Sequence, residues 1–469
     1  MSTPPDHQSS LSASAPPPGC PAHGLGADGV QRLYGPEATS DPTAMYEKLR
    51  AEHGPVAPVL LHGDLPAWLV LGHEENLAAM RNSSTYSRDS RLWTALREGR
   101  VAADSPLLPM IAWQPLCMFA DGEEHRRLRR AVIDGLGRFD RRGVRRYVTR
   151  FANKLIDSFA QDDRADLVGQ FAEHLPMLVM TQLLGMPEEY GQQLVEAARD
   201  LMKGSETALA SNEFVVETLL QLVQRKKTEP GDDLASWLLQ HDAGLTDDEV
   251  MQHLRLILIA ANETTVNLIA NTLKMVLTDR RFRANLSGGH MTLPDAVEQV
   301  LWDQPPLAVI PGRWAVGDTE LAGRSIREGD MLLFALAAGN VDPRVRPDLA
   351  TPVHGNRSHL SFSSGPHECP GQDLGRAIAD TGIDVLLTRL PDVQLAVAEE
   401  DLSWTSSWLS QHLAELPVTF RPQPQSPAAR VAPQVTPPAP VRPEPAPAES
   451  AEAAAVPVRR SWWQRLLRR

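Results

Sequence analysis

The stretch Phe362-Ser-Ser-Gly365-Pro-His367-Glu-Cys369-Pro-Gly371 decides how the rest of the chain is read. It sets one cysteine between two glycines, just before Leu374, Ala377 and Ile378, whose spacing is that of an apolar helix face. A thiolate presented on such a loop can hold a metal from one side only. Zinc would require further ligands, and the chain's other two cysteines, Cys20 and Cys117, lie far away in sequence. The bland alternative is a buried structural cysteine beside a turn.

Three cysteines form no disulfide framework and point to a reducing compartment. A chain of 469 residues, 42% of them hydrophobic, can bury one large core or two to three ordinary ones. The net charge of −13 argues against general nucleic-acid binding. That charge is uneven, because the last eleven residues carry five arginines and no acid. The N-terminus, MSTPPDHQSSLSASAPPPGCPAHG, has neither a basic n-region nor an apolar h-region, so no signal peptide or anchor is expected there. No uninterrupted apolar run reaches spanning length. A cytoplasmic location is expected.

Residues 1–26 are Pro/Ser/Ala-rich and read as a disordered segment. The pattern predicts a helix from Asp41 to Arg50, strands at Val56–Leu61 and Trp68–Leu71, and mostly helix from there to about Asp279. Residues 248–279 form the longest periodic segment. Its centre, Leu256-Ile-Leu-Ile-Ala-Ala261, is apolar all round and predicts a helix buried on every side. Gly312, Gly317, Gly323 and Gly329 space out short strands, a last helix runs from Gln372 to Arg389, and strands end near Pro417–Phe420. The fold class is therefore mainly α with small β-sheets. Residues 422–457 hold eleven prolines and read as a linker. In the final segment, 458–469, Trp462, Trp463, Leu466 and Leu467 share a helical face opposite Arg465, Arg468 and Arg469.

The spacing Phe-x-x-Gly-x-His-x-Cys-x-Gly resembles the haem-ligand loop of the cytochromes P450. The resemblance is to bacterial, actinobacterial-type members and spans roughly residues 30–421. It implies a haem domain over 27–421 with the family's triangular helical fold and long central helix. It implies haem b as cofactor, with the Cys369 thiolate as axial metal ligand pushing electron density onto the iron, and with Phe362, Gly365 and Gly371 as fixed positions of the cofactor loop. Asp121-Gly-Glu-Glu-His125-Arg-Arg-Leu-Arg129 is similar to a family helix in which His125 and Arg129, four apart on one face, hold a haem propionate. Arg126, Arg127 and Arg130 read as a solvated face. Arg313 matches a second propionate donor and His367 a third. In Ala260-Ala-Asn-Glu263-Thr264, an acid in a buried helix is costly unless satisfied or used. The resemblance implies that Glu263 and Thr264 are catalytic and relay protons for dioxygen activation; a water-filled helix kink is the alternative. Asn340-Val-Asp342-Pro343 resembles a structural turn.

One departure from the family stands out. Members carry Glu-x-x-Arg before the Pro-Pro pair, tied to a second arginine ahead of the cysteine loop. In Ala296-Val-Glu298-Gln299-Val-Leu-Trp302, Gln299 and Trp302 occupy those positions, and His354 falls at the third. Removing one partner of a buried ion group leaves a charge stranded, whereas replacing the whole group is often near neutral. The set therefore reads as a compensated lock, with Glu298 and Arg357 as further contributors.

The leading expectation is a monooxygenase acting on a small apolar substrate, with electrons from a separate ferredoxin and ferredoxin reductase, since no flavin motif follows. The apolar stretches Pro106–Trp113 and Pro306–Ile310 are expected to line the substrate pocket, or else to pack in the core. A second expectation is a haem-binding signalling or scaffold protein of the same fold. A zinc deaminase, suggested by His367-Glu-Cys-Pro, fails because no Cys-x-x-Cys follows. The C-terminal arginines with Trp462 and Trp463 could lie on an anionic membrane surface or dock on a protein partner, placing the chain peripherally at the inner face of the membrane.

Overall fold

The computed structural model describes residues 29–203, 208–279 and 292–424, apart from 352 and 354. Residues 1–26, nearly all of the 422–457 linker and the Trp-containing terminus lie outside the described residues. The principal helices are α1 (Gly122–Gly137), α2 (Arg141–Asp157), α3 (Leu175–Leu184), α4 (Tyr190–Lys203), α5 (Ala208–Thr228), α6 (Asp247–Thr278), α7 (Leu293–Asp303) and α8 (Gln372–Arg389). Pro42–His53 forms the first predicted helix, started by the Asp41 carboxylate accepting from Ala44 N at 2.9 Å.

The main sheet is six-stranded and mixed. Val56–Leu61 pairs antiparallel with Leu65–Val70, which runs parallel to Met331–Ala335. Met331–Ala335 in turn pairs antiparallel with Val309–Ala315, and the short strand Tyr86–Ser87 sits on the outer edge of that strand. A bulge between Ile310 and Arg313, with Gly312 at φ 88°, breaks the register there. The loop 106–113 folds largely into core: Leu107 and Ile111 are buried in one cluster with Val309.

Helix α6 organises the helical part. A capping box starts it, with Thr246 Oγ1 accepting from Glu249 N at 3.2 Å and Glu249 Oε2 accepting from Thr246 N at 2.8 Å. Both ends are packed, with Val250, Leu254 and Leu258 on one side of the middle and Leu268, Ile269 and Leu273 on the other. The expectation that residues 256–261 are buried on every side does not hold. Ile259 is 40% exposed, Ala260 is exposed, and Leu256 and Ala261 are half-buried. We read this uncovered apolar face, in the middle of a helix packed at both ends, as the wall of a recess. Helix α8 approaches the same region: a Cβ on Gly375 would stand 3.9 Å from Thr265 Oγ1. Cys369, six residues earlier, is thereby brought towards the middle of α6.

Candidate functional site

The cysteine loop is closed by its own backbone. Cys369 N donates to Phe362 O at 2.8 Å, and Glu368 N donates to Gly365 O at 3.0 Å. Gly365 is required: its φ is 73°, and a Cβ there would lie 2.9 Å from both Arg81 Cα and Met80 O. Gly371 is different. Its φ of −96° suits any residue, and a Cβ would make ordinary contact with Cys369 Sγ at 3.9 Å. What Gly371 contributes is its backbone N–H, directed at the sulfur. Burial pushes the Cys369 thiol up, while that N–H and the charges of Arg129 and Arg376 pull it down. Phe362 lies under the Arg376 guanidinium, 4.4 Å from ring centre to Cζ.

A cluster of arginines and histidines stands beside the loop. The rings of His125 and His367 are 4.1 Å apart, centre to centre. His367 Nε2 is 3.3 Å from Asp121 Oδ1, whose other oxygen accepts from Ser87 Oγ at 2.6 Å and Arg88 N at 2.8 Å. The bulge at Gly312 turns Arg313 inward, where it is 1% exposed and donates to Met80 O at 2.9 Å, Tyr86 O at 3.0 Å and Ser83 Oγ at 3.2 Å. Sequence reasoning missed Arg88. It follows the edge strand Tyr86–Ser87, is buried, and donates to Met118 O at 3.0 Å, Pro311 O at 2.9 Å and Gly312 O at 2.8 Å. Nothing in its local pattern marked it, because its partners come from distant segments.

The electrostatics of this cluster are those of an anion site. Burial lowers Arg313 to about 9, with the neighbouring Arg88 charge adding to the effect. Arg88 falls to about 10 by burial, against the pull of Asp121. Burial and the Arg129 charge bring His125 to about 4, and burial brings His367 to about 3 despite Asp121. Burial pushes the Asp121 carboxyl up, but its bonds to His367, Ser87 and Arg88 outweigh that and hold it at about 2. His125 Nε2 and Arg129 Nε are buried with no hydrogen-bond partner, while the other end of Arg129 donates to Glu368 O beside the cysteine. More positive charge is packed here than Asp121 balances.

Across the recess, Glu263 and Thr264 occupy adjacent positions on α6. Thr264 Oγ1 donates to Ala260 O at 2.6 Å. Burial alone pushes the Glu263 carboxyl up, so it holds its proton to higher pH than an exposed glutamate does. Asn262 Oδ1, next to them, is buried without a partner.

The lock behind the loop is built differently from the Gln299–Trp302–His354 set expected. Its charged centre is Glu298. Oε2 accepts from Arg376 Nη2 at 3.2 Å and lies 3.1 Å from His359 Nε2, Oε1 pairs with Arg376 Nε, and Arg357 Nε stands 3.6 Å away. Trp302 is 0% exposed and donates from Nε1 to Asn356 O at 2.8 Å. Gln299 bridges Asp303 Oδ2 at 2.7 Å and Val353 N at 3.3 Å. His354 lies outside the described residues. Trp302 is satisfied by a backbone carbonyl and Gln299 by a backbone N–H and the Asp303 carboxylate, while Glu298, which faces α8, carries the ion pairing.

No protein-family model matches the chain. Individual proteins do. The chain is 31% identical to 2-hydroxy-5-methyl-1-naphthoate 7-hydroxylase of Streptomyces carzinostaticus, over 79% of this chain and 93% of that one. It is 30% identical to 6-deoxyerythronolide B hydroxylase of Saccharopolyspora erythraea, over 80% and 94% respectively. Among solved structures it is similar to CYP154A1 from Streptomyces coelicolor, with a TM-score of 0.74, 30% identity and coverage of 83% of this chain and all 100% of that one. It is also similar to P450BioI in complex with acyl carrier protein carrying hexadec-9Z-enoic acid, with a TM-score of 0.70, 28% identity and coverage of 81% and 98%. The mainly helical fold with small sheets, the cysteine loop and these relationships have one explanation: the chain belongs to the cytochrome P450 family, the haem b monooxygenases.

Proposed function

We propose that this protein hydroxylates an apolar organic molecule, with Cys369 as the residue whose thiolate would hold haem b and Glu263 and Thr264 as the proton-handling pair. The observation that carries the reading is the surplus of arginine charge at Arg88, Arg129 and Arg313 over the single Asp121, with the neutral rings of His125 and His367 and orphaned polar atoms among them, directly beside a loop that presents one sulfur. That donor set fits a group with two carboxylates and a metal. Bound through a thiolate, haem supplies dioxygen activation and the transfer of one oxygen atom. The protein's own part is then divided. Arg129, His125 and His367 hold anionic groups; Arg88 and Arg313 tie the strands behind them; Gly371 N–H tempers the charge on sulfur. Glu263, whose carboxyl burial pushes up, and the Thr264 hydroxyl handle protons on the opposite side of the recess.

In this reading the chain is an atypical member of its family, with Glu298 doing the work of the missing Glu-x-x-Arg pair. Electrons come from a separate acidic ferredoxin and its reductase. What supports that is a run of exposed arginines, Arg138, Arg141, Arg142, Arg145 and Arg146, at the start of α2, with Arg141 only 3.8 Å from Asp373, four residues past the cysteine. The named hydroxylase relatives act on a naphthoate and a deoxyerythronolide, which supports an apolar body as the substrate's main part. We place the protein in the cytoplasm, and the Trp462/Trp463 terminus as its contact with anionic lipid. The test is the absorption of the reduced, haem-loaded protein under carbon monoxide, followed by product formation with a surrogate ferredoxin system. A normal red-shifted band is expected. A band at the thiol-type short wavelength would overturn the reading.

A further inference from the structure

The face of α6 that lines the recess is not apolar throughout. Residues 252, 255, 256, 259 and 263 recur at intervals of three and four and so share one side of the helix. Ile259 and Glu263 belong to the part described above. One to two turns towards the N-terminus the same face carries Gln252 and Arg255 instead. Arg255 reaches two other elements: Nη1 donates to Gln114 Oε1 at 3.3 Å, in the segment that follows Trp113, and Nη2 donates to Asn212 Oδ1 at 2.8 Å, in the first part of α5. Both acceptors are neutral amides. Its Nε is buried without a partner, and so is Gln252 Oε1 on the preceding turn.

A half-buried arginine in a packed domain ordinarily faces a carboxylate. Among the described residues Arg255 has no ion pair, and burial alone shifts its guanidinium, downward, with no charged neighbour contributing. Arginines elsewhere in the chain show the contrast: Arg127 is pushed up by Glu124 and Glu249, and Arg344 by Glu75 and Asp342. The guanidinium of Arg255 is thus desolvated, held in place by three elements and left without a counter-charge. A planar guanidinium whose Nε–H is unsatisfied, and whose other donors reach only neutral amides, is suited to pair with a carboxylate.

We propose that Arg255 is the anchor for a carboxylate on the substrate, so that the molecule oxidised is an apolar body with an acid at its far end. This rests on the monooxygenase reading and refines it, since the substrate is otherwise expected to be apolar throughout. The helix also sets a length. Nine residues separate Arg255 from Thr264, a rise of roughly 13 Å, which is the span of an extended chain of about ten carbons. Carboxylates much shorter than that cannot reach both points.

The test is a spectral titration of the purified, haem-loaded ferric protein, following the low- to high-spin shift. The probes are sodium dodecanoate, methyl dodecanoate, dodecan-1-ol and sodium hexanoate. Dodecanoate is expected to bind the wild type about tenfold or more tighter than its ester or the alcohol, the discrimination expected of charge-assisted hydrogen bonds, and hexanoate to give no comparable shift. Arg255→Gln should abolish the preference by weakening the acid alone, and Arg255→Lys should retain part of it. Equal binding of acid and ester by the wild type, no shift with either, or an equal loss for both in Arg255→Gln would overturn the proposal. The last result would mean that Arg255 only braces Gln114 and Asn212. Haem content and the carbon monoxide band are read on each sample. Their loss in the wild type would instead count against the haem-thiolate assignment.

Discussion

Glu298→Gln is the perturbation that bears most directly on how this chain holds its cysteine loop. The Glu298 side chain is 6% exposed, its partner His359 is 1% exposed and Arg376 12%. Arg376 lies one turn into α8 and stacks on Phe362, the first residue of the loop. The amide keeps the shape and one acceptor but removes the charge, leaving Arg376 without its counter-ion and His359 without its carboxylate partner. Breaking a buried pair from one side costs about 3–5 kcal/mol. The acid's own titration gives a similar figure. Burial alone would raise it, but His359 and Arg376 bring it from 4.5 to about 2, a shift worth about 3 kcal/mol. Because the folded value is the lower one, that stabilisation is complete above 4.5 and is lost as the pH falls from there towards 2.

The assay is thermal unfolding of the haem-loaded protein at pH 7 and across the acid range. In a chain of this size the substitution should lower the midpoint by about 4–6 °C at pH 7. The gap between variant and wild type should close on acidification, since the wild type loses what the variant never had. Replacing Glu298 and Arg376 together by leucine should recover much of the loss, because no charge is then stranded. A shift below about 1 °C at pH 7, or a gap that widens in acid, would refute the assignment of Glu298 as the charged centre.

Trp302→Arg should destabilise by about 3 kcal/mol or more, since the new cation would sit where Arg346 already faces the Trp302 ring at 5.3 Å; unfolding of the purified variant measures it. Trp302→Phe removes the bond to Asn356 O and leaves part of the indole's buried volume empty, costing about 2–4 kcal/mol by the same measurement. Glu263→Gln should lower the rate of product formation by about a hundredfold or more while haem content stays unchanged, because the group that holds the proton is lost and no anchor of the cofactor is touched. Gly365→Ala should abolish haem retention on gel filtration, since its Cβ would collide with the backbone at Met80 and Arg81.

The parts of this molecule that were legible in the sequence are those fixed by local chemistry. The α8 helix runs from Gln372 to Arg389 as its apolar spacing predicted, and α6 from Asp247 to Thr278 begins at a Thr-Asp-Asp-Glu capping sequence. The cysteine loop was legible for the same reason: Gly365 has a left-handed backbone that few other residues tolerate. Gly371 was read as a fixed position of the family's loop, although its backbone is ordinary and its contribution is the N–H directed at the sulfur. Periodicity also misjudged the middle of α6. An all-apolar stretch reads the same whether it faces side chains or a recess, and only the tertiary packing separates the two.

Long-range electrostatics were the least legible part, and Arg88, Glu298 and Arg255 share the cause. Each takes its environment from segments far away in sequence: Arg88 from Pro311 and Gly312, Glu298 from His359 and Arg376, Arg255 from Gln114 and Asn212. A charge next to a familiar motif draws notice, as Glu298 did as a contributor to the lock, whereas Arg88 and Arg255 lie away from any motif. The three then differ in a way that geometry alone exposes. Arg88 is used up by carbonyls, and Glu298 is balanced by cations. Arg255 is neither, since its two bonds go to neutral amides and its Nε to nothing. A buried charge that the fold does not balance is costly to keep. In a recess that must also admit a substrate, the balancing charge can arrive with the substrate, and acid and ester of one chain length tell the two possibilities apart.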